Sequence, residues 1–90
     1  MNQNRVTQEQ IDNLLDAAET QEHIFWEKEL LVSYRLKSGF TVSGRAACID
    51  PANFDINIGR KVARENAASQ LWVLEGYVRQ VQLNKDGTVL

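Results

Sequence analysis

The stretch Leu30-Leu-Val-Ser-Tyr-Arg-Leu-Lys-Ser-Gly-Phe-Thr-Val-Ser-Gly-Arg-Ala46 decides the fold. On both sides of Lys37-Ser38-Gly39, apolar residues recur at every second position, the period of a strand. A two-residue turn would pair Leu36 with Thr41 and set the two apolar rows on opposite faces. A three-residue loop instead pairs Leu36 with Phe40, Tyr34 with Val42, Val32 with Gly44 and Leu30 with Ala46. Only that register yields one core face, because a slip by one residue turns every side chain over. It also places Gly39 where such a loop needs positive φ. The opposite face carries Ser33, Arg35, Thr41, Ser43 and Arg45, which suits water. Upstream, His23-Ile-Phe-Trp26 either extends the first strand or forms an apolar connection.

A hairpin with one apolar face needs a cover, and both flanks supply helical patterns. Thr7-Gln-Glu-Gln10 has the form of a capping box, with Val6 and Ile11 at the spacing of a hydrophobic staple. Ile11, Leu14, Leu15 and Ala18 follow on one face and predict a helix over residues 8–19. From Asp55 a longer pattern begins. At about 100° per residue, Ile56, Ala63, Ala67, Leu71, Leu74, Val78 and Val81 fall on one stripe, predicting a helix to about residue 80 with a possible break at Gly76. Gly59, Ala63 and Ala67 repeat every fourth residue and make part of the stripe shallow enough for a sheet to approach closely. The expected fold is α+β: an N-terminal helix, an antiparallel β-hairpin or small sheet, and a long C-terminal helix packed on it. Residues 1–6 read as a flexible N-terminus, 7–82 as a single domain and 83–90 as a tail with a turn at Asn84-Lys-Asp-Gly87.

Composition bounds the function. The chain has 90 residues, 43% apolar, with 10 basic and 12 acidic side chains and a net charge of −2. That balance gives no strong field for nucleic acid or an anionic membrane. The single cysteine, Cys48, cannot close an intrachain disulfide, and no apolar run resembles a signal peptide or a membrane span. A reducing cytoplasm is the expected location. A domain this small buries only about 60–65% of its unfolded surface. Self-association is therefore expected, with a homodimer as the first guess.

The densest chemistry lies where the strand period gives way to the helical one, at Cys48-Ile-Asp-Pro-Ala-Asn-Phe-Asp55. Asp50-Pro51 suits the opening of a helical turn, Asn53 and Asp55 are further capping residues, and Phe54 drops toward the core. This reading makes Cys48, Asp50, Pro51, Asn53 and Asp55 a structural corner. The catalytic reading needs a base for Cys48, and the one histidine is His23, with no third member in view. Asp50, Asn53 and Asp55 lack the spacing and terminal glutamate of a calcium loop. No phosphate-binding glycine motif occurs, so neither a metal nor a cofactor is expected. Enzyme is the least supported class.

Two surface features remain. Arg60, Lys61 and Arg64 form a basic cluster that Arg35 and Arg45 could extend, either a solvated face with ion pairs such as Lys61–Glu65 or a patch for nucleotides or nucleic acid. Trp72 points about 160° from Ile56 on a continuous helix, away from the stripe. With Ile58, Ala68 and Val73 it is either a candidate protein contact, since large aromatics are enriched at interface centres, or a residue covered within the chain by the first helix or the Ile24–Trp26 segment.

The segments Ala47-Cys-Ile-Asp-Pro-Ala-Asn-Phe-Asp55, Ile58-Gly-Arg-Lys61 and Trp72-Val-Leu-Glu-Gly-Tyr77 together resemble a family of small tailed-phage proteins named after a coliphage gene 49 product and a Shigella phage gene 66 product. The resemblance covers about residues 5–80. The family pattern often has an acidic residue where this chain has Arg45. The resemblance implies a phage or prophage origin and action in the bacterial cytoplasm, and it carries no catalytic residue. The function expected is that of a non-enzymatic accessory protein binding and modulating a host protein. The alternative is a nucleotide or nucleic-acid binder using the basic cluster.

Overall fold

The computed structural model describes residues 5–85. Helix α1 (Gln8–Asp16) is followed by three strands, β1 (Glu19–Phe25), β2 (Glu29–Arg35) and β3 (Thr41–Ala47), and then by helix α2 (Ile56–Lys85). The strands form an antiparallel sheet in the order β1-β2-β3, so the fold is α+β as expected.

The β2–β3 register is the one the apolar rows demand: Tyr34 pairs with Val42, Val32 with Gly44 and Leu30 with Ala46. The loop closes with the Leu36 amide donating to the Phe40 carbonyl at 2.8 Å and the Gly39 amide to the Leu36 carbonyl at 2.9 Å. Gly39 has φ +92°, a conformation in which a Cβ would be strained. Leu30, Val32, Tyr34 and Val42 all lie buried in one cluster with Ile11 and Leu15 of α1 and Ala63, Ala67 and Leu71 of α2. One face of the sheet thus packs on both helices.

α1 begins with the full capping box. The Thr7 hydroxyl accepts from the Gln10 amide at 3.2 Å, while the Gln10 side chain accepts from the Thr7 amide at 2.8 Å. It ends at Asp16 rather than at residue 19, because Glu19 already pairs with Arg35 as the first residue of β1. The His23–Trp26 segment belongs neither to β2 nor to an irregular link. Its first three residues complete β1, and Trp26 opens the turn that returns the chain to β2.

α2 runs without a break through Gly76 and continues to Lys85, past the expected end at residue 80 and into the segment read as a tail. The Asn84–Gly87 turn and residues 1–4 lie wholly or partly outside the described residues. The shallow stripe does its expected work. A Cβ on Gly44 would sit 1.7 Å from the Ala63 carbonyl oxygen, and one on Gly59 would meet the Leu30 side chain at 3.3 Å. Along the outer edge of β3, Asn66 and Gln70 donate to the carbonyls of Arg45 and Ser43 at 2.7 and 2.6 Å, so α2 also caps an edge that would otherwise be open.

Candidate functional site

The corner after β3 is assembled by caps. Asp50 accepts from the Ala52 amide at 2.9 Å and opens a single 3₁₀ turn, Pro51–Asn53, with proline in its first position. Asp55 then caps α2, accepting from the Asn57 and Ile58 amides at 2.9 and 3.3 Å. A carboxylate there satisfies amides that have no partner within the helix and sits at the positive end of its dipole. Asn53 contributes its backbone amide, donated to the Asp50 carbonyl, and no side-chain cap among the described hydrogen bonds. Phe54 is half-buried against the core.

Cys48 is half-buried in this corner. Its thiol donates to the Asp50 carbonyl at 3.1 Å, and its backbone is tied to Lys28: the Cys48 amide donates to the Lys28 carbonyl at 3.0 Å and the Lys28 ammonium to the Cys48 carbonyl at 3.3 Å. His23 lies on β1, on the other side of β2 from Cys48, with its ring centre 4.4 Å from that of Phe25 and the two planes tilted by 52°. The fold does not bring this thiol and imidazole together. Among the described residues, no three His, Cys, Asp or Glu side chains converge as metal ligands.

The basic cluster is divided and largely neutralised. Arg35 and Arg45 stand on the open face of the sheet, opposite the face that α2 covers, so they do not extend the helix cluster. Arg35 pairs with Glu19, and Arg45 with Glu29 at 3.0 Å. Arg60 holds Glu22 in a two-pronged contact of 2.7 and 3.0 Å. Arg64 reaches Asp16 at 2.9 Å and Asp12 at 3.6 Å. Hydrogen bonds from Arg60 and Arg35 hold the carboxyls of Glu22 and Glu19 below their ordinary range. Among the described residues Lys61 makes no ion pair, with Glu65 or otherwise.

The residues proposed around Trp72 do not form one surface. Ala68 packs against the core. Ile58 lines a small groove of about 130 Å³ at the start of α2, with Cys48, Phe54 and Val62. Val73 lies more than four turns along the helix, beside Phe40 and Leu74. Trp72 itself keeps 38% of its surface exposed.

The indole that stands out is Trp26, 81% exposed at the tip of the β1–β2 hairpin. Trp26 and Glu27 have φ values of 57° and 58°, and the Lys28 amide closes the turn on the Phe25 carbonyl at 3.1 Å. Left-handed conformations at both central residues belong to a turn that favours Asn-Gly. Because Lys28 is joined to Cys48, the Trp26 turn shares its end of the molecule with Ile49, which is 97% exposed, and with the groove of Ile58 and Val62. Apolar periodicity could not reveal this end, since its residues are precisely those not packed; the useful sequence signal was the bulky Trp-Glu pair, legible only once β1 is recognised as a strand.

The family model described as Phage protein (N4 Gp49/phage Sf6 gene 66) matches residues 6–83. The chain belongs to this family. The match takes in α1, the sheet, the capped corner, the Trp26 turn and α2 up to Leu83. No curated protein and no solved structure matches the chain. Among the described residues, no helix is long and apolar enough to cross a membrane.

Proposed function

We propose that this phage protein is a non-enzymatic accessory factor that binds and modulates a protein of the bacterial host, acting in the host cytoplasm. The observation that carries the reading is the Trp26 turn. A left-handed conformation costs a residue with a side chain about 1–2 kcal/mol, and here two such residues stand at a hairpin tip where Asn-Gly would relieve the cost. Strain kept at an exposed position is a pointer to function. The tip presents an indole in water, with Ile49 and the Ile58–Val62 groove beside it, and desolvation of such a side chain is a strong source of binding energy at protein interfaces. The pairing of Arg35, Arg45, Arg60 and Arg64 with carboxylates favours this reading over nucleotide or nucleic-acid binding, since those guanidiniums are already engaged.

The test is capture of binding partners from host extract with the tagged wild-type chain and with Trp26→Ser and Ile49→Ser variants, followed by native mass spectrometry. A stoichiometric host protein retained by wild type, lost with either substitution and insensitive to moderate salt is the expected result. A bound nucleotide or nucleic acid whose affinity falls with salt and with Arg60→Gln or Arg64→Gln would overturn it.

A further inference from the structure

The C-terminal third of α2 outruns its own domain. The last α2 side chain packed against the core is Leu74, and the helix continues to Lys85, an overhang of about 16 Å at 1.5 Å per residue. The molecule measures 55 × 22 × 20 Å, with a radius of gyration of 16.1 Å, against about 12 Å for a compact domain of this length.

This overhang is not a strong helix former. Residues 75–85 include Gly76, Tyr77, Val78 and Val81, each less favourable in a helix than alanine by roughly 0.5–1 kcal/mol. Helices of this length need packing to persist in water. Yet Val78 is 45% and Tyr77 71% exposed, and among the described residues nothing of the chain packs against them as the sheet packs against Leu71. The apolar positions meanwhile keep their spacing: Leu71, Leu74, Val78 and Val81 alternate at three and four residues, the seam of two paired helices. The face buried on the sheet in the first part of α2 continues into the last, where Val78 is exposed and Val81 half-buried.

We infer that this seam pairs with the same seam of a second copy of the chain, and that the two helices run antiparallel. The sheet decides the direction. It lies against the seam side of α2 up to Leu74, so a parallel partner would have to place its own sheet in the same space. An antiparallel partner lays only its overhang along this overhang, and its sheet begins beyond the end of this helix. Val78 of each copy then faces Val81 of the other. Each helix tip approaches the end of the other sheet, where Phe40 is 55% exposed beside Val73 and Leu74. A two-fold contact of this kind closes on itself and gives a dimer. It uses the end of α2 remote from Trp26 and is independent of the host-protein reading.

Light scattering on the size-separated full chain over a concentration series, with far-UV circular dichroism, tests the pairing. The expected result is a dimer whose mass falls by half in Val78→Lys and Val81→Lys, together with a loss of helical signal equal to about the overhang. These positions lie outside the buried cluster, so the sheet and its packing on α1 should survive. A wild-type chain that stays monomeric to its solubility limit would overturn the proposal, as would a dimer indifferent to both substitutions. Direction is read separately in a Cys48→Ser background: mixed V78C and V81C chains should form the cross-linked heterodimer, and preferential V78C homodimers would overturn the antiparallel arrangement. Trp26→Ser should leave the dimer unchanged, which separates its failure from failure of the host-protein reading.

Discussion

The tightest constraint on this fold is set by a residue without a side chain. Gly44 faces the Ala63 carbonyl, and a methyl group there would stand 1.7 Å from that oxygen, within 3.0 Å of three backbone atoms of Ala63. Backbone cannot rotate away as a side chain does, so Gly44→Ala must push α2 off the sheet. We predict a loss of about 3 kcal/mol or more, at or beyond the upper end for overpacked cores, read from the urea midpoint. Gly59→Ala is the control. Its new methyl would crowd a Leu30 methyl group at 3.3 Å and meet Leu30 Cβ and Phe54 Cε1 at ordinary contact distances of 3.7 and 3.8 Å, and the gain of about 1 kcal/mol in helix propensity offsets the crowding. Its stability should stay within about 1 kcal/mol of wild type. The sequence spacing made the Gly59-Ala63-Ala67 ridge legible because the period lies within one element. That Gly44 opposes Ala63 depends on how the helix is set across the sheet, which no local pattern records.

At the scale of elements, the hairpin register and the α1 cap were legible because each is fixed by local stereochemistry: one apolar face and a three-residue loop in the first case, a reciprocal Thr7–Gln10 pair in the second. β1 was not. Glu19-Thr-Gln-Glu-His-Ile-Phe25 is an edge strand exposed along almost its whole length, and apolar alternation marks a half-buried face rather than a strand as such. The same exposure hid the Trp26 turn and shifted attention to Trp72. The turn yields a prediction that separates stability from binding. Replacing Trp26-Glu27 with Asn-Gly supplies residues that adopt the left-handed region readily. The variant should gain roughly 1 kcal/mol or more, seen as a higher thermal midpoint, while losing the partner captured by wild type. A turn variant no more stable than wild type would mean that the strain is relieved elsewhere.

At the scale of the whole molecule, the ion pairs tie α2 to β1, which adds no residue to the buried cluster, and to the charged side of α1. Arg60 on α2 holds Glu22 on β1, and Arg64 holds Asp12 and Asp16 on α1, so the charges that the sequence left as either an ion-paired face or a binding patch brace the edge of the fold. Their effect has a defined sign with pH. The Arg60 hydrogen bond holds the Glu22 carboxyl below its ordinary value of 4.5, so the folded state binds that proton less readily than the unfolded chain. The stabilisation is therefore fully present above the unfolded value and is lost as pH falls through the lower, folded one. Glu22→Gln should cost at most about 1 kcal/mol at neutral pH, the scale of a solvent-screened pair. That difference should shrink as pH drops below 4.5 and vanish once the wild-type carboxyl is protonated. Urea denaturation of both proteins from neutral to acid pH measures it. A Glu22→Gln deficit that persists unchanged in acid would assign Glu22 a packing role on β1 in place of an electrostatic one, and would leave Arg60 free for the ligand chemistry that its pairing here argues against.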